Sequence, residues 1–308
     1  MHELDIARHS RFVDPQLHVW GWEIPVYLFL GGMAAGAMIL TALMAARPER
    51  SRVARWLPFA APVLVSIGMG ALFLDLANKL HVWRFYLAFR WTSPMSWGAW
   101  ILIVVYPVTL LQGLAALADD QVEWLAGRAG PLAGLVRAGR AFALPRERAL
   151  RTWAVGAGIA LGVYTGILLS TLGARALWGS ALLGPLFLVS GLSTGAALLM
   201  LFRVTPEERH FLARWDLLAI GLEVALLALL LVGLATGDAQ SRGAADLLLG
   251  GRFTAPFWAL VVIAGLAVPA ALELLETRLH LRATWVAPAL VLAGGLSLRW
   301  ILVAAGQL

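Results

Sequence analysis

The sequence predicts an all-α integral membrane protein of about eight transmembrane helices. Three observations carry that expectation. Of 308 residues, 60% are hydrophobic and only 14% are charged, whereas a soluble domain carries roughly 25% charged residues. Apolar runs long enough to cross a hydrocarbon core, about 20 residues each, recur eight times. Tryptophan collects at the ends of those runs, as Trp22, Trp56, Trp97, Trp153, Trp178, Trp215, Trp258 and Trp285, where indole rings settle among lipid headgroups. Alternating ten-residue patterns, the mark of a membrane barrel, do not recur.

In chain order the expected spans are Glu23–Ala45, Trp56–Leu76, Met95–Ala118, Thr152–Ser170, Trp178–Leu201, Asp216–Thr236, Thr254–Leu275 and Trp285–Ala305. Met1 to Asp14 is polar and the first apolar run is already long enough to span, so no cleavable signal is expected. Before span three, Thr92-Ser93-Pro94 reads as a helix entry, with proline in the first turn and serine able to cap. The longest connection, Asp119–Arg151, divides the spans into two sets of four. Gly32-x-x-x-Gly36-Ala37 in the first span is partly echoed by Gly191-x-x-x-Gly195-Ala196 in the fifth. Small residues four apart let helix backbones approach closely. The echo fits a duplicated bundle and fits two independent packing motifs equally well.

The net charge is +6. In a soluble protein that would suggest nucleic acid; here the basic residues lie in short loops between apolar runs, so a nucleic-acid partner is not expected. The connections Ala46–Arg55, Asp119–Arg151, Phe202–Trp215 and Thr277–Arg282 carry 4, 6, 3 and 2 Lys or Arg, 15 together. The amino terminus, Ala77–Pro94, Thr171–Leu177 and Gly237–Phe253 carry 8. The richer set is cytoplasmic by the positive-inside rule, which puts both termini outside.

Cysteine is absent, so disulfides, thiolate zinc and iron–sulfur clusters held by this chain are excluded. His2, His9, His18, His81, His210 and His280 all lie outside the apolar runs. A bis-histidine haem inside the bilayer is therefore not expected, and electron chemistry must use a dissociable carrier or a partner's cofactor.

Ionisable residues inside spans cost about 2.5–3.5 kcal/mol each on insertion scales, so each raises a functional question. On this topology Glu23, Tyr27, Asp75, Tyr164 and Arg299 fall in the outer half, with Lys79 and Arg84 just beyond span two; Glu223 and Glu273 fall in the inner half. Glu23 and Tyr27 are four apart and share a helix face. Each has a plainer reading. Glu23 suits a helix's first turn, Asp75 can pair with Lys79, and the tyrosines can belong to the belt or to packing. Glu223 can form a structural ion pair, and Arg299 can neutralise a carboxylate or snorkel outward.

The run Trp22-Glu23-Ile24-Pro25-Val26-Tyr27-Leu28-Phe29-Leu30-Gly31-Gly32, followed by Ala35-Gly36, resembles the first-helix signature of NrfD/PsrC-type membrane subunits. Leu74-Asp75-Leu76, Trp83-Arg84-Phe85 and Thr92-Ser93-Pro94-Met95-Ser96-Trp97-Gly98-Ala99-Trp100 are similar to a second block of that family. Tyr164-Thr165-Gly166-Ile167-Leu168-Leu169-Ser170 and Ser190-Gly191-Leu192-Ser193-Thr194-Gly195 are similar to a third. The resemblance extends over the whole chain. It implies two four-helix bundles, about residues 16–170 and 178–308. It implies a quinone-reactive subunit of a respiratory oxidoreductase, without haem or iron–sulfur cluster of its own, in a bacterial-type inner membrane.

The implied carrier is menaquinone or ubiquinone, bound near the outer face. The implied partner is an extracytoplasmic ferredoxin-like iron–sulfur subunit, which leads to a catalytic subunit, often molybdopterin-containing, or to a multihaem cytochrome. Tyr164 matches a tyrosine implicated in holding a quinone carbonyl. Glu23 and Tyr27 stand where some relatives place histidine or asparagine, and Ala77-Asn78-Lys79 replaces a Gly-Arg-Pro-like run.

The residue chemistry agrees with that placement. Tyr27 and Tyr164 can donate to carbonyl oxygens. Glu23 or Asp75, desolvated, can exchange protons with hydroxyls, and Lys79 or Arg84 can hold a carboxylate ionised. Glu223, Glu273 and Arg299 are candidates for a proton route from the inner side. The competing classes are a secondary transporter or proton channel, for which buried Glu223 and Arg299 would handle substrate, and a passive anchor without a quinone site.

Overall fold

The structure is a computed structural model that describes residues 20–47, 50–76, 79–87, 89–170, 175–279 and 284–308, the side chains of Arg84 and Phe85 excepted. The amino-terminal arm, His280, Ala77, Asn78 and the Arg84 side chain, all used in the sequence reading, lie outside the described residues.

Among the described residues there is no strand, and eight helical stretches are long and apolar enough to cross a membrane. Span one is Glu23–Met44, span two Ala54–Asp75, span three Pro94–Ala116, span five Leu183–Met200, span six Pro206–Thr236, span seven Thr254–Leu279 and span eight Val286–Gly306. Span four is the helix Glu147–Ser170. The spans alternate in direction. One end of the molecule, here the terminal end, carries the start of span one and the close of span eight. The other, the connector end, carries the long connection after span three.

That connection folds into two short helices, Asp119–Arg128 and Ala133–Ala143. Span six starts ten residues before its expected first residue. Pro206 occupies its first turn, the Thr205 hydroxyl accepts from the Glu208 N–H, and the Glu208 carboxylate accepts from the Thr205 N–H at 2.9 Å, a reciprocal capping box. The expected serine cap of span three is not made: Ser93 precedes Pro94 in extended conformation, but its side chain bonds no helix N–H. Span seven is π-helical over Phe257–Ala267 and returns to α-helix just before Pro269.

The two glycine motifs are each other's partner. A Cβ built on Gly36 would lie 2.0 Å from the Gly191 carbonyl oxygen, one on Gly191 2.5 Å from the Gly32 oxygen, and one on Gly195 2.6 Å from the Ala37 nitrogen. Spans one and five therefore meet backbone to backbone, close enough for dispersion contacts along their length. Span one also packs on spans two, four and eight, and its surface is buried nearly all round, as an apolar helix without a polar face requires. Spans seven and eight repeat the device at Gly265 and Gly294.

Arginines at the connector end do more than bias orientation. Arg151 donates to the Ala45 carbonyl at 2.9 Å, Arg140 to the Leu114 and Ala115 carbonyls at 2.6 and 2.9 Å, and Arg209 to the Met200 carbonyl at 3.0 Å. The carbonyl-rich closes of spans one, three and five are thus satisfied by cations, which the helix dipole also favours. The Glu208 carboxylate accepts from the Ser51 N–H and hydroxyl, both at 2.8 Å, and so fastens span six to the loop before span two.

At the terminal end, Trp20 and Gln307 exchange backbone–side-chain bonds at 3.0 and 3.2 Å. Trp178 departs from the belt role expected of it. It is 3% exposed, donates its indole N–H to the Leu302 carbonyl at 2.9 Å, and lies against Gly306. An indole fully out of water needs that acceptor. Trp22, Trp97, Trp153, Trp258 and Trp285 are exposed, as belt residues are.

Candidate functional site

Among the described residues, two polar clusters stand out in the apolar interior. The first lines a cavity of about 340 Å³ near the terminal end, between spans one to four and the connection after span two. Its walls are aliphatic, with Met69, Leu102 and Leu168 among them, and three tyrosines enter it: Tyr27, Tyr86 and Tyr164. Tyr27 and Tyr164 are buried, at 7% and 5% exposure, and their hydroxyls interact with each other. Gly98 explains how Tyr164 reaches this position, since a Cβ there would stand 2.2 Å from the phenol oxygen. The tyrosine ring occupies the space a side chain on span three would fill.

Tyr86 does not stand out in the sequence. It lies on the short helix Arg84–Leu87 between spans two and three, half-buried against the cavity. Burial, then the nearby Tyr106, pushes its hydroxyl above the usual phenol range, so it is a protonated donor at neutral pH. Sequence reasoning looks for chemistry inside the apolar runs, and Tyr86 is outside them.

Glu23 and Asp75 stand at the rim and do not line the wall. Glu23 is one turn before Tyr27, and Asp75 precedes Leu76, which does line it. The two carboxyls are near enough to repel. Glu23 folds back over Gly21, where an added Cβ would meet its Oε2 at 2.3 Å. The expected pairing of Asp75 with Lys79 is not made within 4.0 Å. Span two stops at Asp75 and the chain turns extended at Leu76, so Lys79 starts a separate short helix and is exposed. The i,i+4 spacing brings side chains together only while the helix continues.

The second feature runs from mid-depth towards the connector end through spans five to eight. Arg299 is fully buried and does not snorkel. Its Nη1 donates to the Ser190 hydroxyl at 2.5 Å and the Gly295 carbonyl at 3.1 Å, its Nη2 to the Phe187 carbonyl at 3.3 Å, and its guanidinium lies 5.0 Å from the Phe187 ring centre. Its guanidinium stands beside Gly32, near mid-depth of span one. Glu223, 2% exposed, feels the charge of Arg299 but does not touch it within 4.0 Å; the Ser190 hydroxyl lies between them and also faces Glu223.

Farther on, Asp216 of span six accepts a 2.6 Å bond from Ser193, and Glu273 of span seven faces it. Asp216, Ser190 and Ser193 are not among the site residues expected from the sequence. The signal is present all the same, because Asp216 and Glu223 are seven apart and Ser190 and Ser193 three apart, each pair on one helix face.

A larger cleft of about 830 Å³ lies between spans three and four, lined by Trp91, Trp97, Trp100 and Trp153 among aliphatic residues. Among the described residues of its wall Thr152 carries the one hydroxyl, and no phenol or ionisable group lines it.

Comparison with known proteins places this geometry. The family described as polysulphide reductase, NrfD, matches residues 11–308. The chain belongs to the NrfD family. It is 33% identical to Protein NrfD of Escherichia coli (strain K12) over 304 residues, 94% of this chain and 95% of that protein. It is 31% identical to the C polypeptide of polysulfide reductase from Wolinella succinogenes over 306 residues, 94% of either protein. A Halobacterium salinarum protein, named as a putative dimethyl sulfoxide reductase membrane subunit, is 29% identical over 206 residues, 61% of this chain and 44% of that protein. Eight apolar helices and NrfD-family membership together make the chain a multi-pass membrane protein.

Proposed function

We propose that this NrfD-family protein is the quinone-reactive membrane subunit of a respiratory reductase complex. It exchanges electrons between a membrane quinone, of menaquinone or ubiquinone type, and an iron–sulfur subunit docked at the terminal end. The relatives named as parts of polysulfide and dimethyl sulfoxide reductases support the complex. Among the described residues, no group of three or more metal-ligating side chains comes together, and the absence of cysteine excludes a cluster held by this chain. A ferredoxin-like subunit, passing electrons to or from a catalytic molybdopterin or cytochrome subunit, is the partner of fitting chemistry. The segment from Lys79 to Ser93, together with the amino-terminal arm, is its dock.

The observation that carries the reading is the tyrosine-lined cavity. Its volume suits a small ring, its walls are apolar, and its few polar groups converge, the usual character of a ligand pocket. Bound quinone supplies two-electron, two-proton chemistry. Tyr164, Tyr27 and Tyr86 hold the ring by donating to its oxygens, and Glu23 or Asp75 at the rim takes or returns the protons. The chain forms two four-helix bundles that meet along spans one and five, with both termini outside the cytoplasmic membrane. A reporter fused after Leu308 is expected to be active outside and silent in the cytoplasm; the reverse would invert every placement above.

Tyr164→Phe removes one hydrogen bond, worth about 0.5–1.5 kcal/mol, so quinone affinity is expected to fall roughly three- to tenfold. Glu23→Gln and Asp75→Asn are expected chiefly to slow turnover. The measurement is quinol-dependent electron transfer in the assembled complex, with quinone affinity followed separately. If Tyr27→Phe, Tyr164→Phe and both carboxyl variants assemble and leave both quantities unchanged, the site is elsewhere.

A further inference from the structure

Asp216 and Glu273 lie 0% and 2% exposed inside the helix bundle. Ser193 satisfies one oxygen of Asp216, but Asp216 Oδ2 and both oxygens of Glu273 have no hydrogen-bond donor. The two carboxyl groups face each other across spans six and seven. Buried carboxylate oxygens without donors are costly, and two like charges in contact more so.

The surrounding charges do not relieve this. Arg209, at the start of span six, is held by the Met200 and Thr284 carbonyls and pairs with Glu276 at 3.4 Å. Glu276, one turn beyond Glu273, adds repulsion. Glu223 lies two turns along span six from Asp216 and faces Ser190 of span five. Arg299 of span eight is committed to Ser190, Gly295 and Phe187. Among the described residues, no Lys, Arg or His comes within 4.0 Å of Asp216 or Glu273.

We propose that Asp216 and Glu273 share one proton and form a proton-binding site within the membrane, loaded from the connector end. One proton converts the facing pair into an O–H···O bond and leaves a single charge, the arrangement by which close carboxyl dyads persist. Ser193 donates to the remaining carboxylate. Loading is short. Glu276 is three residues from Glu273, about 4.5 Å along the helix axis, and its pairing with Arg209 is partly exposed. From Asp216 the polar line continues through Ser193 and Ser190 to Glu223, about 10.5 Å farther along span six. The site thus gives the suggested route of Glu223, Glu273 and Arg299 a station where a proton rests. It stands without the quinone reading, because its groups lie on spans five to seven, away from the tyrosine cavity.

The test is infrared difference spectroscopy on the full-length chain in lipid nanodiscs at neutral pH, wild type against Asp216→Asn/Glu273→Gln. The expected result is a protonated-carboxyl stretch in the wild type that shifts in D2O, is absent from the double variant, and is indifferent to sodium. A wild-type spectrum without such a band overturns the proposal whether or not the variant folds. So does a band that survives in the folded double variant. A band that disappears on adding sodium would make the site one for a metal cation and also overturn it. Where the double variant does not fold, Glu273→Gln takes its place, and an unchanged band there is equally fatal.

Discussion

Gly36→Ala is expected to prevent stable assembly of the chain, whereas Gly221→Ala, the same chemical change in another span, is expected to be silent. The added methyl carbon at Gly36 would stand 2.0 Å from the Gly191 carbonyl oxygen and 2.8 Å from Leu192 Cα. Overpacking a core typically costs about 1–3 kcal/mol when side chains can shift. Here the obstacle is backbone on a neighbouring span, which moves only if the whole helix moves. Separating spans one and five would also loosen Gly191 from Gly32 and Gly195 from Gly36, so the loss should exceed that range. At Gly221 nothing lies within 4 Å of the new methyl, and replacing a helix-interior glycine lowers the entropic cost of folding. The measurement is membrane accumulation together with thermal unfolding in detergent. A Gly36→Ala protein that accumulates and melts like wild type would remove the seam from the account of the fold.

The seam shows where sequence reading reaches its limit. The spans were legible because twenty apolar residues in a row have few other uses, and both glycine motifs were visible. That they close on each other was not, because a small-residue stripe says a helix can be approached and not by which partner. Trp178 looked like the other boundary tryptophans. Only its contact with Leu302 and Gly306, more than 120 residues away in sequence, takes it out of the belt.

The candidate site divides the same way. Tyr27 and Tyr164 were readable as polar groups in apolar runs, and the structure brings them together. Tyr86 was hidden in a connection whose path over the cavity no local pattern announces. Asp216 reads as the first residue of span six because Trp215 stands among the boundary tryptophans; Thr205-Pro206 with Glu208, a readable helix start, sets it about three turns inside. Lys79 failed for the opposite reason, since the helix that would have carried it to Asp75 ends first.

Arg299→Met is expected to destabilise the chain by about 1.5–3 kcal/mol, the usual contribution of hydrogen bonds to a buried charged group. The guanidinium makes three hydrogen bonds to spans five and eight and stands on the Phe187 ring. Its removal takes the charged donor from the Ser190 hydroxyl and leaves Glu223 with Ser190 but no positive charge nearby. Glu223→Gln should cost less, because Arg299 keeps all three bonds and loses only a charge it does not touch. Arg299→Met with Glu223→Leu should recover part of the loss, since an apolar pair of matching volume can replace buried ions at little cost. Thermal unfolding of the wild type, Arg299→Met, Glu223→Leu and the double variant closes the cycle, and a coupling of about 0.5–3 kcal/mol is the range for groups sharing one network. Strict additivity would mean that Ser190 insulates the two charges instead of joining them. The polar line from mid-depth to Asp216 and Glu273 would then be two separate features.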